Sequence, residues 1–275
     1  MRRQNILIFV FNIVILTLIK ITIAQTQELQ LDFAGGKCLE SDIINTNGTY
    51  HSNILTLLSN LQASSSIDNF SNSSVGLGPD RVNGYYLCRP DISLATCETC
   101  INATINTIDL YCFDRKEAII WYDECMIRYT NNSISALESN QTNDPWYFNY
   151  GTLNVSEPKG FPAKVNTTLR GLILEAISSD NPQRFYAHGK EKFTLFEGFY
   201  GMVLCRPDMT AEACESCLVT ALGRIPSCCV DSLSVWTIVM LPNCQVRYDT
   251  APFIFDSQSS LSLSPPLPLP PTLAP

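Results

Sequence analysis

The chain has 275 residues, a net charge of −8, 45% hydrophobic residues and 12 cysteines. That length holds one or two domains with real cores, and nothing in the composition suggests a fibrous or disordered chain. The acidic balance, with no lysine or arginine cluster, excludes a nucleic-acid partner gripped through its phosphates.

Met1-Arg2-Arg3 gives a basic start, Ile6 to Ile19 an apolar stretch, and Thr22-Ile23-Ala24 a small-residue cleavage site. This is the layout of a secretory signal over residues 1–24, too short and too interrupted (Asn12, Thr17, Lys20) to span a bilayer. Next, Ile54, Leu57, Leu58 and Leu61 recur at helical spacing within Tyr50–Leu61, and a polar loop rich in Ser and Asn follows. Tyr85–Cys88 reads as a strand, Arg89-Pro90-Asp91 as a turn, and Ser93 as the N-cap of a second helix that carries Cys97 and Cys100 on one face. Glu117–Arg128 reads as strand. Asn140–Gly160, with Pro145 and Pro158, reads as a junction.

The same series then returns. Val165, Leu169, Leu172, Ile173 and Ile177 have helical spacing, Phe199–Cys205 is strand-like, Thr210 caps a helix carrying Cys214 and Cys217, and Val235–Tyr248 closes as strand. Cys-x8-Cys-x2-Cys occurs at Cys88, Cys97, Cys100 and again at Cys205, Cys214, Cys217. Leu-Cys-Arg-Pro-Asp opens both runs, and a cysteine with Arg-Tyr follows both (Arg128-Tyr129, Arg247-Tyr248). A duplication explains this. The predicted fold class is α+β: two tandem copies of a small disulfide-stapled domain, each with two helices packed on an antiparallel sheet. The layout is a first domain over 28–135, a linker over 136–160, a second domain over 161–255 and a Pro/Ser-rich tail over 256–275. Pro265, Pro266, Pro268, Pro270 and Pro271 make that tail a polyproline stalk. Nor is any other apolar run long enough to cross a membrane.

An exported chain this rich in cysteine is expected to hold disulfides. Sequons at Asn47, Asn69, Asn72, Asn102, Asn131, Asn140, Asn154 and Asn166 predict a glycoprotein. The two Cys-x2-Cys pairs lie in different copies and His51 and His188 show no ligand spacing, so neither metal nor cofactor is expected. Gly-x-Ser-x-Gly, a phosphate-cradling glycine loop and His-Glu-x-x-His are all missing from the sequence. Asp123 with Glu124, and Glu191 with Glu197, are carboxylates that could in principle do acid–base work, and no constellation supports them. The chain is read as non-enzymatic. Trp121 and Trp236 fall in apolar strands and are expected in the core, whereas Trp146 could stack on a sugar.

These motifs, with the helix before each run and Cys-x-x-Arg-Tyr after it, resemble the plant ginkbilobin-type (stress-antifungal) domain. That domain occurs in cysteine-rich repeat secretory proteins and in the ectodomains of cysteine-rich receptor-like kinases. The resemblance covers residues 28 to 255. It implies disulfides Cys88–Cys97, Cys100–Cys125 and Cys38–Cys112 in the first copy, and Cys205–Cys214 and Cys217–Cys244 in the second. No counterpart of Cys38 stands between Trp146 and Val165. Cys228 and Cys229 are left over: they bond to each other, pair with another chain, or stay as thiols.

The resemblance also implies an extracellular (apoplastic) recognition module of the plant cell surface in stress or defence signalling. Its partner would be a cell-surface receptor or a cell-wall glycan, with homo- or hetero-association open. Localisation would be the plasma membrane were the gene product to continue into a span and kinase. The second reading is a mannose-binding antifungal lectin. The single-domain relative's sugar-contacting positions fall here on Leu39, Ile119 and Thr130 in the first copy, and on Ile238 and Asp249 in the second. Only Asp249 keeps an acid.

Overall fold

The computed structural model describes residues 31–39, 43–133, 145–156, 159–194, 197–228 and 234–255. The signal segment, Asn140, Pro158, Cys229 and the proline-rich tail lie outside them.

The first repeat runs β1 (Phe33–Cys38), α1 (Thr49–Ser64), β2 (Phe70–Val75), β3 (Val82–Cys88), α2 (Leu94–Tyr111), β4 (Ala118–Tyr122) and β5 (Cys125–Thr130). The second runs β6 (Tyr147–Tyr150), α3 (Phe161–Ala176), β7 (Tyr186–Lys192), β8 (Gly198–Cys205), α4 (Ala211–Cys228), β9 (Trp236–Met240) and β10 (Cys244–Asp249). Each repeat builds a five-stranded antiparallel sheet, ordered β1-β4-β5-β3-β2 and β6-β9-β10-β8-β7. The two orders are identical once the copies are superposed, so the duplication extends to topology. The α+β class with two helices on each sheet holds.

Local chemistry explains the helices. Ser93 Oγ accepts the Thr96 amide at 3.1 Å and Thr210 Oγ1 the Ala213 amide at 3.2 Å, capping α2 and α4. On α1, Ile54, Leu57, Leu58 and Leu61 are buried; on α3, Val165, Leu169, Leu172 and Ile173 are. Both stripes face the sheet of their own repeat.

Several expectations need correction. The polar Ser/Asn loop is strand β2, paired with β3 from Phe70↔Leu87 to Val75↔Val82. It is an edge strand whose exposed face is polar, so alternation of burial replaces apolar content as its signature. The segment taken as junction contains β6, which pairs with β9 from Tyr147↔Met240 to Tyr150↔Thr237. Glu117–Arg128 is not one strand: it breaks at Asp123-Glu124 into the β4–β5 hairpin.

The second face of each sheet carries the larger surprise. Tyr85, Leu87, Ile119, Trp121 and Met126 from the first sheet bury themselves against Tyr186, Met202, Leu204, Ile238 and Met240 from the second. The sheets therefore stack on one another with helices outside, α/β/β/α. That is why β3 is buried at every position, on both faces. Each such aliphatic or aromatic side chain contributes about 1.5–3 kcal/mol of transfer free energy.

Candidate functional site

Arg-Pro-Asp, predicted as a turn, is a buried charged fork in both repeats. Arg89 clamps Asp91 through Nε (3.0 Å) and a terminal nitrogen (2.5 Å), and Arg206 clamps Asp208 likewise at 3.0 and 2.8 Å. Both guanidiniums are almost fully buried. A paired, doubly hydrogen-bonded arginine tolerates such burial; a lone one does not. The two forks then serve different clients. Arg206 also donates to Asn243 Oδ1 (2.8 Å) and covers the ring of Tyr85 from the other repeat at 4.3 Å. Arg89 donates to the Phe253 carbonyl (2.7 Å), and Asp91 accepts the Phe255 amide (3.0 Å). The segment after β10 is thus strapped onto the first repeat. Burial pushes the Asp91 carboxyl up, but Arg89 and the Phe255 amide outweigh it and hold it below the usual carboxylate range.

The shared Arg-Tyr pair divides in the same way. Tyr129 is buried with its hydroxyl 3.1 Å from both the Cys112 and Arg115 carbonyls, and burial, with nearby Tyr50, Asp114 and Glu117, pushes its phenol up. Tyr248 repeats the arrangement, donating to the Ser234 carbonyl at 3.0 Å. The arginines differ. Arg128 pairs with Glu117 inside its own repeat at 2.6 Å, whereas Arg247 reaches across the seam to Asp123 at 2.8 Å. Phe253 lies under Arg247 at 4.1 Å, which joins this bridge to the C-terminal strap.

Three of the four nominated carboxylates bind a neighbouring side chain, and the fourth, Glu124, serves through its backbone carbonyl. Asp123 holds Arg247, Glu191 pairs with Lys164 at 2.8 Å, and Glu197 accepts from Ser156 at 2.5 Å. Glu124 is buried beside the Arg89 fork, its carbonyl taking the Arg89 amide. Among the described residues no three His, Cys, Asp or Glu side chains converge as a metal site.

Four of the five sugar positions carried over from the lectin are closed. Ile119 and Ile238 lie in the layer between the sheets, Thr130 is 1% exposed, and Asp249 is bound by Arg247 at 3.2 Å. Leu39 alone is partly exposed. Trp121 is buried between the sheets and stacks on Tyr147 at 6.3 Å. Trp236 is half-buried against that layer. Trp146 is half-buried under Arg224 and in a row with Phe148 and Tyr150.

Five disulfides join Cys38–Cys112, Cys88–Cys97, Cys100–Cys125, Cys205–Cys214 and Cys217–Cys244. Cys228 is also disulfide-bonded, so it is not a thiol. Of the sequons, Asn47, Asn72, Asn131 and Asn154 are exposed and Asn69, Asn102 and Asn166 partly buried. Asn102 and Asn166 use Oδ1, accepting from Gln62 (2.8 Å) and Arg170 (2.9 Å). Sequence reasoning missed the forks and the strap; the identical Arg-Pro-Asp in the two copies was the signal that could have found the forks.

The family model described as salt stress response/antifungal matches residues 37–132 and 149–251. Cysteine-rich repeat secretory protein 9 of Arabidopsis thaliana is 34% identical over 83% of this chain and 67% of its own length. Cysteine-rich receptor-like protein kinase 25 of the same plant is 33% identical over 83% of this chain, which spans only 34% of the kinase. Among solved structures, the tandem DUF26 ectodomain of the Arabidopsis thaliana cysteine-rich receptor-like protein PDLP8 aligns with a TM-score of 0.67 at 25% identity. That alignment covers 80% of this chain and 99% of the ectodomain.

Proposed function

Since the chain belongs to the salt stress response/antifungal family, we propose that it is a non-enzymatic recognition module of the plant cell surface, acting outside the cell in stress or defence signalling. The observation that carries this reading is the likeness to secreted and receptor-ectodomain relatives across both repeats together. The domain layout we adopt is 28–135 for the first repeat and, with β6 counted in the second sheet, 145–255 for the second, following removal of residues 1–24 as a secretory signal. Its partner is a cell-surface receptor or a cell-wall glycan. The buried sheet faces are spent on each other, so recognition falls to the helix faces and the strand edges.

The test uses purified, glycosylated chain added to intact plant plasma-membrane and cell-wall fractions. Saturable binding is expected. Loss of binding after protease treatment of the fraction identifies a receptor, and loss after glycanase treatment a wall glycan. Absence of saturable binding to either fraction sinks the proposal.

The mannose-lectin alternative is disfavoured by the burial of Ile119 and Ile238, which offer no hydrogen bond to a polyol. Retention on mannan with elution by free mannose would restore it.

A further inference from the structure

One groove of about 490 Å³ opens beside the edge strand β1, between β4 and the last turns of α2. Comparison of the two repeats shows why it is there. Cys38 pairs with Ala118 as Tyr150 pairs with Thr237, and Gly36 with Ile120 as Phe148 with Val239. A bulge in β1 sets Phe33 opposite Tyr122, at the end of the strand that corresponds to Trp146, the residue just before β6. In the second repeat three rings therefore stand in a row, Trp146–Phe148 at 5.1 Å with 29° between planes and Phe148–Tyr150 at 6.3 Å with 7°. In the first repeat the row is Phe33, Gly36 and the Cys38–Cys112 bridge. Its central ring is missing. A Cβ at Gly36 would meet Ile120 Cδ1 at 2.3 Å, so Ile120, where the other copy has the smaller Val239, crowds any side chain placed on Gly36.

The walls of this gap are apolar and open to water: Phe33 is 54% exposed and Leu110 and Tyr111 are each 71% exposed. At its floor sit two hydroxyls, Thr107 Oγ1 and Tyr122 Oη, 2.9 Å apart. Thr107 has one hydroxyl proton and gives it to the Ala103 carbonyl at 3.0 Å. Tyr122 must then donate to Thr107, and its remaining lone pair can accept from a donor in the groove.

We infer that this groove is a binding site for a small planar phenolic molecule, whose ring takes the place that Phe148 fills in the second repeat and whose hydroxyl donates to Tyr122. The volume suits a ligand of two or three rings. Stacking against Phe33 reproduces the aromatic contact seen between Trp146 and Phe148. The inference is independent of the cell-surface role, because it concerns the purified chain alone.

The test is calorimetric titration of the full disulfide-bonded chain with 2-naphthol and, separately, with naphthalene. Saturable 1:1 binding is expected, with 2-naphthol the tighter. Tyr122→Phe should weaken 2-naphthol by on the order of tenfold and leave naphthalene unchanged, because one hydrogen bond is lost. Gly36→Phe combined with Ile120→Val copies the second repeat into the first and should abolish both. Phe33→Ala changes an exposed ring, leaves the core intact, and should weaken both ligands by on the order of tenfold; it decides the matter should the filled variant not fold. No saturable binding to the native chain, or native affinity in Phe33→Ala and Tyr122→Phe, overturns the inference.

Discussion

Tyr85 of the first repeat lies beneath Arg206 of the second, with 4.3 Å from guanidinium carbon to ring centroid, and its hydroxyl donates to the Pro242 carbonyl at 3.1 Å. One side chain thereby supplies apolar surface to the layer between the sheets, a cation–π face and a hydrogen bond. Tyr85→Ala should cost about 3–5 kcal/mol, as for other buried aromatics cut to alanine. Because the layer is shared, calorimetry should record one unfolding transition shifted down as a whole. Two transitions, with only one moved, would mean that the repeats fold independently.

The Cys38–Cys112 bridge closes the longest loop, with a sequence separation of 74. Replacing both cysteines by serine should destabilise the chain by about 4.5 kcal/mol on the chain-entropy account. Removing Cys88–Cys97, with a separation of 9, should cost about 2.5 kcal/mol on the same account. Denaturant titration of the two double variants checks the order, and a larger loss from the shorter loop would show that strain or lost packing governs instead.

The strap has a pH signature. The Asp91 carboxyl is held low in the folded chain by Arg89 and the Phe255 amide despite its burial. A group with a depressed folded value binds its proton more readily when unfolded, so its stabilisation is complete above the unfolded value near about pH 4 and fades as pH falls through the folded one. Melting temperature should therefore fall from pH 5 to pH 2 more steeply in the native chain than in Asp91→Asn. Parallel curves would sink the assignment.

Glycan addition requires a reachable side-chain nitrogen. Asn47, Asn131 and Asn154 lie exposed in turns and connections outside the regular strands and helices, and glycopeptide mapping should find these occupied. Asn72 is exposed too, but its Nδ2 is 3.5 Å from Asp208 at the seam between repeats. A glycan there displaces that contact, so the Asn72→Gln variant should resemble native protein in stability if the site is normally unused. A clear stability difference together with full occupancy would contradict this.

The helices were legible because Ile54, Leu57, Leu58 and Leu61 mark one face and Ser93 and Thr210 supply caps. The central strands were legible because Tyr85–Cys88 and Phe199–Cys205 are runs of large apolar residues. Edge strands were not. Phe70–Val75 is mostly Ser and Asn, and Phe33–Cys38 contains two glycines and a bulge; both form because a neighbour offers hydrogen-bonding groups, not because of their own propensity. The partner of the second sheet face was equally hidden. An apolar strand states that both faces are covered without saying by what, so Ile119 and Ile238 could not be assigned to a seam between copies. Arg89 and Arg206 read as turn residues because arginine is usually a surface residue, and only the repetition of Arg-Pro-Asp marks the forks.

The strap from Phe253 to Phe255 also fixes where mechanical load enters the molecule. Tension applied beyond residue 255 meets the Arg89–Phe253 and Asp91–Phe255 bonds before it reaches β10, so the first repeat carries it together with the second.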